Sequence, residues 1–133
     1  MDSETRVAIG SAVDIVTARQ KGRALAMELG FDGSDLTLIA TAISEVARNI
    51  VDHAKQGEII LASANHGPRH GITIIAHDHG PGIPDVAQAM QYGYSTRKGL
   101  GVGLPGAKWL MDDFNLDSKV GKGTTVTMTK WLH

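Results

Sequence analysis

The sequence predicts an α+β fold, with helices on one face of a mixed, mostly antiparallel sheet. Three observations carry this. Helical and strand-like patterns come in runs rather than in strict alternation, which argues against a parallel βαβ array. One long stretch, 35–54, holds apolar residues at steps of three and four, the mark of a helix with one buried face. Near the end, Thr125, Val126, Thr127, Met128 and Thr129 alternate behind a GKG turn, as in a hairpin with one covered side.

Residues 5–10 (TRVAIG) are short and partly β-branched, and read as a first strand. Ser11 is placed to cap a helix over 12–29, which Gly30 would end. Ser34 or Asp35 can cap the second helix, 35–54, whose stripe includes Leu36, Ile39, Ile43, Val46 and Ile50. Two strands, 58–64 (EIILASA) and 71–77 (GITIIAH), flank the turn-like NHGPR. The second runs into DHGPGIPD, where two Pro and two Gly stop any regular element. A short helix fits 85–91, followed by the irregular YGYSTRK. A further helix fits 102–113, with Pro105 tolerable only in its first turn. Strands over 114–120 and 124–131 close the chain. No repeat or boundary divides it, so one domain over 1–133 is expected.

With 133 residues, 42% hydrophobic and 20% charged, the chain can bury one sizeable core. A net charge of −1 offers no basic footprint for nucleic acid or an anionic membrane. The absence of Cys rules out disulfides and thiolate metal sites. The acidic start, MDSETRVAIG, lacks the basic, then apolar pattern of a secretory signal, and no run approaches the ~20 apolar residues of a membrane span. A cytoplasmic location is expected. The 16 glycines cluster at 80–82, 93–106 and 121–123, so backbone geometry matters at those places.

Glu45, Asn49 and His53 follow one another at steps of four along helix 35–54 and share a stripe, with Asp52 beside it. Asn is a poor helix former, and mid-helix it asks for a reason. The stripe is either an exposed polar face or a site in which the Asn49 amide oxygen serves a hard cation and Glu45 a proton. A cation such as Mg²⁺ takes few protein ligands and fills its shell with water and phosphate oxygens. Asp78, at a strand end before Gly80 and Gly82, is either an Asx turn or an acceptor for an exocyclic amino group such as adenine's. His77 and His79 fall on the opposite strand face from Asp78, and no histidine spacing suits a metal site. In GKGTT, Gly121 and Gly123 are explained by the tight turn alone, and Thr124 and Thr125 can direct a hydroxyl at a base.

Residues 97–106, RKGLGVGLPG, can be parsed as a dinucleotide fingerprint, as alternating glycines that wrap phosphates, or as a plain flexible connection. Gly101, Gly103 and Gly106 match a dinucleotide fingerprint, but that motif must follow a strand directly and be answered by an acidic residue about 20 positions on. Here YGYSTRK precedes it and VTMT stands where the acid should be. No Gly-Lys-Ser/Thr follows, so a Walker loop fails too. The alternating Gly99, Gly101 and Gly103 remain as a backbone able to wrap phosphates, with Gly106 left to helix packing.

Taken in order, Glu45…Asn49…His53, Asp78-x-Gly80-x-Gly82, Gly99-x-Gly101-x-Gly103-Leu104 and Gly121-x-Gly123-Thr124 resemble the four boxes of the GHKL ATPase/kinase superfamily. Through ISEVARNIVDHA, GLGVGLPGAKWLMDDF and GKGTTVTMTKW the chain is most similar to the small anti-sigma-factor-type serine/threonine kinases, and among them to the switch kinases of the bacterial stressosome. The resemblance implies a Bergerat ATP-binding fold with ATP and Mg²⁺ as cofactors. Glu45 would be the catalytic base and Asn49 the Mg²⁺ ligand. Asp78 would take the adenine amino group, assisted by Thr124, with Gly80 and Gly82 in the same box. The backbone over 99–103 would cradle phosphates, which makes Gly99, Leu100, Gly101, Val102, Gly103 and Leu104 cofactor-binding positions. Residues 84–98 would form a lid carrying Arg97 and Lys98 near the phosphates, while Asp52 and His53 would shape the site. Val102 offers no hydroxyl, so backbone amides would do more of the phosphate binding.

The implied activity is protein serine/threonine phosphorylation of STAS-domain antagonist proteins. Partner switching toward the regulatory domain of a PP2C-type phosphatase would follow. A nucleotide-gated sequestering module with little kinase activity is the competing expectation, and Glu45 discriminates because a pure binder needs no base. With only 5–34 ahead of the site, the catalytic domain of a histidine kinase is not expected.

Overall fold

Asp78, Thr124 and Ser118 face one another across three neighbouring strands, and the rest of the fold explains why. The computed structural model describes residues 4–84, 86, 90 and 103–132. Its elements are β1 (Glu4–Ile9), α1 (Ala12–Glu28), α2 (Gly33–His53), β2 (Gly57–His66), β3 (Arg69–Asp78), α3 (Gly103–Leu110), β4 (Asp113–Lys119) and β5 (Gly123–Trp131). The strands form one sheet in the order β1-β2-β3-β5-β4. Every pairing is antiparallel, so the sheet is more uniform than the mixed one expected.

Side chains alternate across a strand. Val7 and Ile9, Ile59 and Leu61, Ile74 and Ala76, and Val126 and Met128 all point to the covered face and form the core with α1 and α2. Register carries the alternation to one end of the sheet. Beyond Ala76 the next inward position is Asp78, paired with Thr124, which is paired in turn with Ser118. The buried row thus turns from aliphatic to polar at that end, where Asp78 and Thr124 stay buried.

Ser11 caps α1 as expected, and Asp14 completes the cap by accepting the backbone N–H groups of Gly10 (2.8 Å) and Ser11 (3.1 Å). Gly30 follows the helix with φ 108, a conformation that favours glycine. The cap expected for α2 was Ser34 or Asp35. The observed N-cap is Asp32, and Asp35 lies in the first turn, where its charge suits the helix dipole. The β2–β3 hairpin is longer than the sequence suggested, because NHGPR is mostly strand. His66 pairs with Arg69, leaving Gly67 and Pro68 as the loop. Gly67 takes φ 61, as the first central position of a type II′ turn requires.

α3 begins at Gly103, has Pro105 in its first turn, and packs Leu104, Gly106 and Ala107 inward. It stops at Leu110 rather than continuing to 113. The backbone N–H of Asp112 is donated to the Thr129 carbonyl (3.0 Å), which starts the β4 ladder instead. The helix expected over 85–91 lies mostly outside the described residues, apart from a helical bond from Met90 N–H to the Val86 carbonyl (3.0 Å).

Candidate functional site

The α2 stripe is amphipathic, and its polar members fall beside the N-terminus of α3. Glu45 is only 7% exposed although its flanks are Ser44 and Val46. Its Oε1 accepts the backbone N–H of Gly103 at 2.9 Å, and its Oε2 accepts from Arg48 Nη1 at 2.9 Å. A helix N-terminus leaves N–H groups without partners, and a carboxylate is a fitting acceptor for one of them. Each carboxylate oxygen keeps a further lone pair, so Glu45 can still receive a proton. Asn49 follows one turn along, about 6 Å up the axis. It is half-buried, and its amide has no hydrogen-bond partner among the described residues. A half-buried amide oxygen without a partner fits a hard cation such as Mg²⁺. Asp52 and His53 are exposed at the end of the stripe.

At the C-terminal end of α2 lies the second half of the site. Asp78 is 4% exposed, and its Oδ1 accepts the Gly80 N–H at 2.8 Å in an Asx turn. Its other oxygen receives no hydrogen bond from a described residue. A buried carboxylate oxygen needs a donor, and an exocyclic amino group supplies one. The Asx-turn reading of Asp78 therefore holds for one oxygen, and the other is open to a donor.

Gly80 and Gly82 allow close packing of this turn. A Cβ on Gly80 would stand 2.8 Å from Ala54 Cα at the end of α2, and one on Gly82 (φ 79) would strike the Lys119 carbonyl.

Thr124 shares a 2.8 Å hydroxyl–hydroxyl bond with Ser118, a residue that sequence reasoning missed. Ser118 Oγ also accepts the Ile83 N–H at 2.7 Å and lies 3.3 Å from the Gly123 carbonyl. If Ser118 donates to Thr124, the Thr124 proton is free for a ligand acceptor; if Ser118 donates to Gly123, Thr124 donates to Ser118. The Gly121 N–H bonds the Pro81 carbonyl at 2.8 Å. A Cβ on Gly123, at φ 117, would collide with the Asp78 carbonyl. The segments 78–83 and 118–124 are therefore one bonded unit. The inward alternation Phe114, Leu116, Ser118 was the signal that could have found Ser118.

From Glu45 to Ala54 the axis of α2 rises about 13 Å. One end meets the α3 N-terminus and the other the Asp78 turn, so α2 forms a floor long enough for a base at one end and phosphates at the other. Gly103 is half-buried with φ 66, whereas the Leu104 side chain is in the core and could serve a nucleotide only through its backbone. Arg97, Lys98, Gly99, Leu100, Gly101 and Val102 lie outside the described residues. The His77 and His79 rings meet edge to face at 4.6 Å, and His77 Nδ1 pairs with Thr125 Oγ1 at 2.7 Å. Among the described residues no cluster of His, Cys, Asp or Glu could hold a metal ion.

Comparison with known proteins places the chain in a family. The family described as Histidine kinase-like ATPase domain matches residues 11–130. The chain is 49% identical over 132 residues to the serine/threonine-protein kinase RsbT of Bacillus subtilis, covering 99% of both chains. It is 35% identical over 119 residues to the anti-sigma F factor of Caldanaerobacter subterraneus subsp. tengcongensis, covering 86% of this chain and 83% of that protein. A crystal structure of RsbU and RsbW domains from Mycobacterium tuberculosis superposes with a TM-score of 0.62 at 25% identity, over 98% of this chain and 32% of that one.

Proposed function

The chain belongs to the histidine kinase-like ATPase domain family, of GHKL type, and from that premise we propose that it is an ATP-dependent protein serine/threonine kinase acting as a partner-switching regulator. The observation that carries the reading is Glu45: a buried carboxylate against the α3 N-terminus, one turn from an Asn49 amide with no partner among the described residues. A module that only binds nucleotide has no use for a base at that point.

Phosphoryl transfer asks mainly for positioning, charge neutralisation and an acceptor for the hydroxyl proton. Asp78 would orient the adenine through its amino group, with Thr124 beside it. Asn49 would hold Mg²⁺, which when bound neutralises phosphate charge. Backbone amides over 99–104, with Arg97 and Lys98, would hold the phosphates. The substrate Ser or Thr oxygen would bond to the γ-phosphorus as its bond to the β-phosphate oxygen breaks, leaving ADP, and Glu45 would take the hydroxyl proton.

The substrates we propose are STAS-domain antagonist or scaffold proteins of a cytoplasmic stress-response (stressosome) pathway. The released kinase would then activate a PP2C-type phosphatase through its regulatory domain. No described helix is long and apolar enough to cross a membrane. The similarity to an anti-sigma factor favours, as a second reading, a nucleotide-gated sequestering module with little transfer activity. Incubation with Mg²⁺-ATP and purified STAS-domain proteins, followed by intact mass measurement, separates the two. Addition of one phosphate that Glu45→Gln abolishes supports the kinase, and unmodified substrate with retained complex formation supports the sequestering module.

A further inference from the structure

Glu45 and Arg48 form an ion pair within α2 that differs from an ordinary pair on a helix surface. Surface pairs three positions apart are solvated and contribute little. Here the Glu45 side chain is 8% exposed and the Arg48 side chain 26%, so most of the pair is out of water. A carboxylate in that setting asks for donors on both oxygens. The Gly103 N–H serves Oε1 and Arg48 Nη1 serves Oε2, each at 2.9 Å.

One of these donors alone would not fix the group. A carboxylate held only at Oε1 can still turn about that bond, and the lone pairs that would face a substrate hydroxyl turn with it. A second donor, on the other oxygen, sets the plane. The two come from different elements, since Gly103 opens α3 and Arg48 belongs to α2.

Helix geometry also separates Arg48 from the cation end of the site. A residue three positions on lies about 60° to one side of Glu45, and one four positions on lies about 40° to the other, so Arg48 and Asn49 flank Glu45. The side on which Asn49 would hold Mg²⁺ is therefore the side away from Arg48. The bond runs from one nitrogen to one oxygen and is not the two-bond fork at which Lys cannot replace Arg.

Resting on the kinase reading of this site, we propose that Arg48 is a positioning residue for phosphoryl transfer. It acts through Glu45, by fixing the plane of the carboxylate, and touches neither nucleotide nor substrate. A base must meet the hydroxyl proton at hydrogen-bond distance, and a misplacement of about 1 Å costs about 10²-fold in rate. Arg48 thereby sets the rate of transfer and leaves the affinity for ATP alone.

The test follows phosphate addition, by intact mass and per folded molecule, to the STAS-domain protein that the unaltered chain modifies, with ATP affinity read by calorimetry. Arg48→Met keeps the aliphatic stem and removes the donors. It should lower kcat by about 10–10²-fold, with KM and ATP affinity held within about twofold. Arg48→Lys keeps one donor for Oε2 and should restore kcat to within about fivefold of the unaltered chain. A purely structural pair would lower the urea midpoint of Arg48→Met and leave the kcat of the folded chain as it was. In a Glu45→Gln chain, Arg48→Met should lower the residual transfer no further, because a residue acting through Glu45 then has nothing left to position. A loss of ATP affinity in Arg48→Met, or a second full loss on top of Glu45→Gln, would put Arg48 on the phosphates and overturn the proposal. Unchanged kcat in Arg48→Met overturns it too, and leaves the kinase reading standing. An unaltered chain that modifies no STAS-domain protein ends the kinase reading itself, and the role of Arg48 with it.

Discussion

Glu45 Oε1 and the backbone N–H of Gly103 are joined by a 2.9 Å hydrogen bond across 58 positions of sequence. The residue proposed as base thus also fixes where α3 begins, and the two roles can be separated by substitution. Glu45→Gln keeps a carbonyl oxygen for Gly103 but cannot take a proton. It should fold with little loss of stability, bind ATP, and lower transfer to a STAS-domain substrate by about 10²–10⁴-fold. Glu45→Ala also strands the Gly103 N–H and the Arg48 guanidinium, and should cost about 1–3 kcal/mol in urea unfolding. Equal stability of the two variants would show that the bond to Gly103 contributes nothing.

Asn49 lies one turn from Glu45, and its amide has no partner among the described residues. Asn49→Ala should weaken ATP binding in Mg²⁺ by at least about tenfold, roughly 1.4 kcal/mol, and leave binding in excess chelator unchanged. Calorimetry under both conditions reads the difference. A loss of the same size with and without Mg²⁺ would mean that Asn49 holds the nucleotide itself and not the cation.

Much of this was legible in the sequence because it is local. The α2 stripe follows from 3.6-residue periodicity, and the order of Asp78, Gly103 and Thr124 follows from short motifs whose types survive without tertiary context. What was not legible depends on partners far away in the chain. NHGPR looked like a broad turn, yet β2 and β3 run to His66 and Arg69 because a two-residue loop lets the ladder continue. The α3 helix stopped early because Thr129 claimed the Asp112 N–H. The close approach of Gly80 to Ala54 and of Gly82 to Lys119 likewise joins segments far apart in the chain. Ser118 was overlooked because one serine in a strand says nothing until register places it beside Thr124.

Gly123 is where β5 touches the Asp78 end of β3. Its φ of 117 and the adjacent Asp78 carbonyl leave no place for a side chain. Gly123→Ala should therefore destabilise the fold by about 1–3 kcal/mol, as expected for a residue held in a region that L side chains avoid. It should also weaken adenine nucleotides beyond that loss, because the strain falls on the strand end that carries Asp78. Thermal unfolding and a nucleotide titration on the same variant distinguish a purely local strain, which would move only the first.

Ser118 offers the narrowest test of the polar row at the end of the sheet. Its hydroxyl accepts from Ile83 at 2.7 Å and pairs with Thr124 at 2.8 Å, so one oxygen links the segment after Asp78 to β5. Ser118→Ala removes that oxygen while leaving Asp78 and Thr124 in place. The Ile83 N–H is then without its acceptor, and the expected loss is about 1–3 kcal/mol in urea unfolding. The Thr124 proton also loses one of its two possible arrangements. If Thr124 donates to the nucleotide, its hydroxyl is freed from competition with Ser118 and the remaining bond should hold ATP affinity within about threefold, under 1 kcal/mol. If Thr124 instead needs Ser118 to fix its hydroxyl, ATP affinity should fall by about tenfold or more. The geometry favours the second outcome, because Ser118 is the Thr124 side-chain partner found among the described residues and a free hydroxyl rotor would have to be ordered by the ligand alone. Binding of ATP by Ser118→Ala at wild-type affinity would remove Ser118 from the site and leave it only a structural bond.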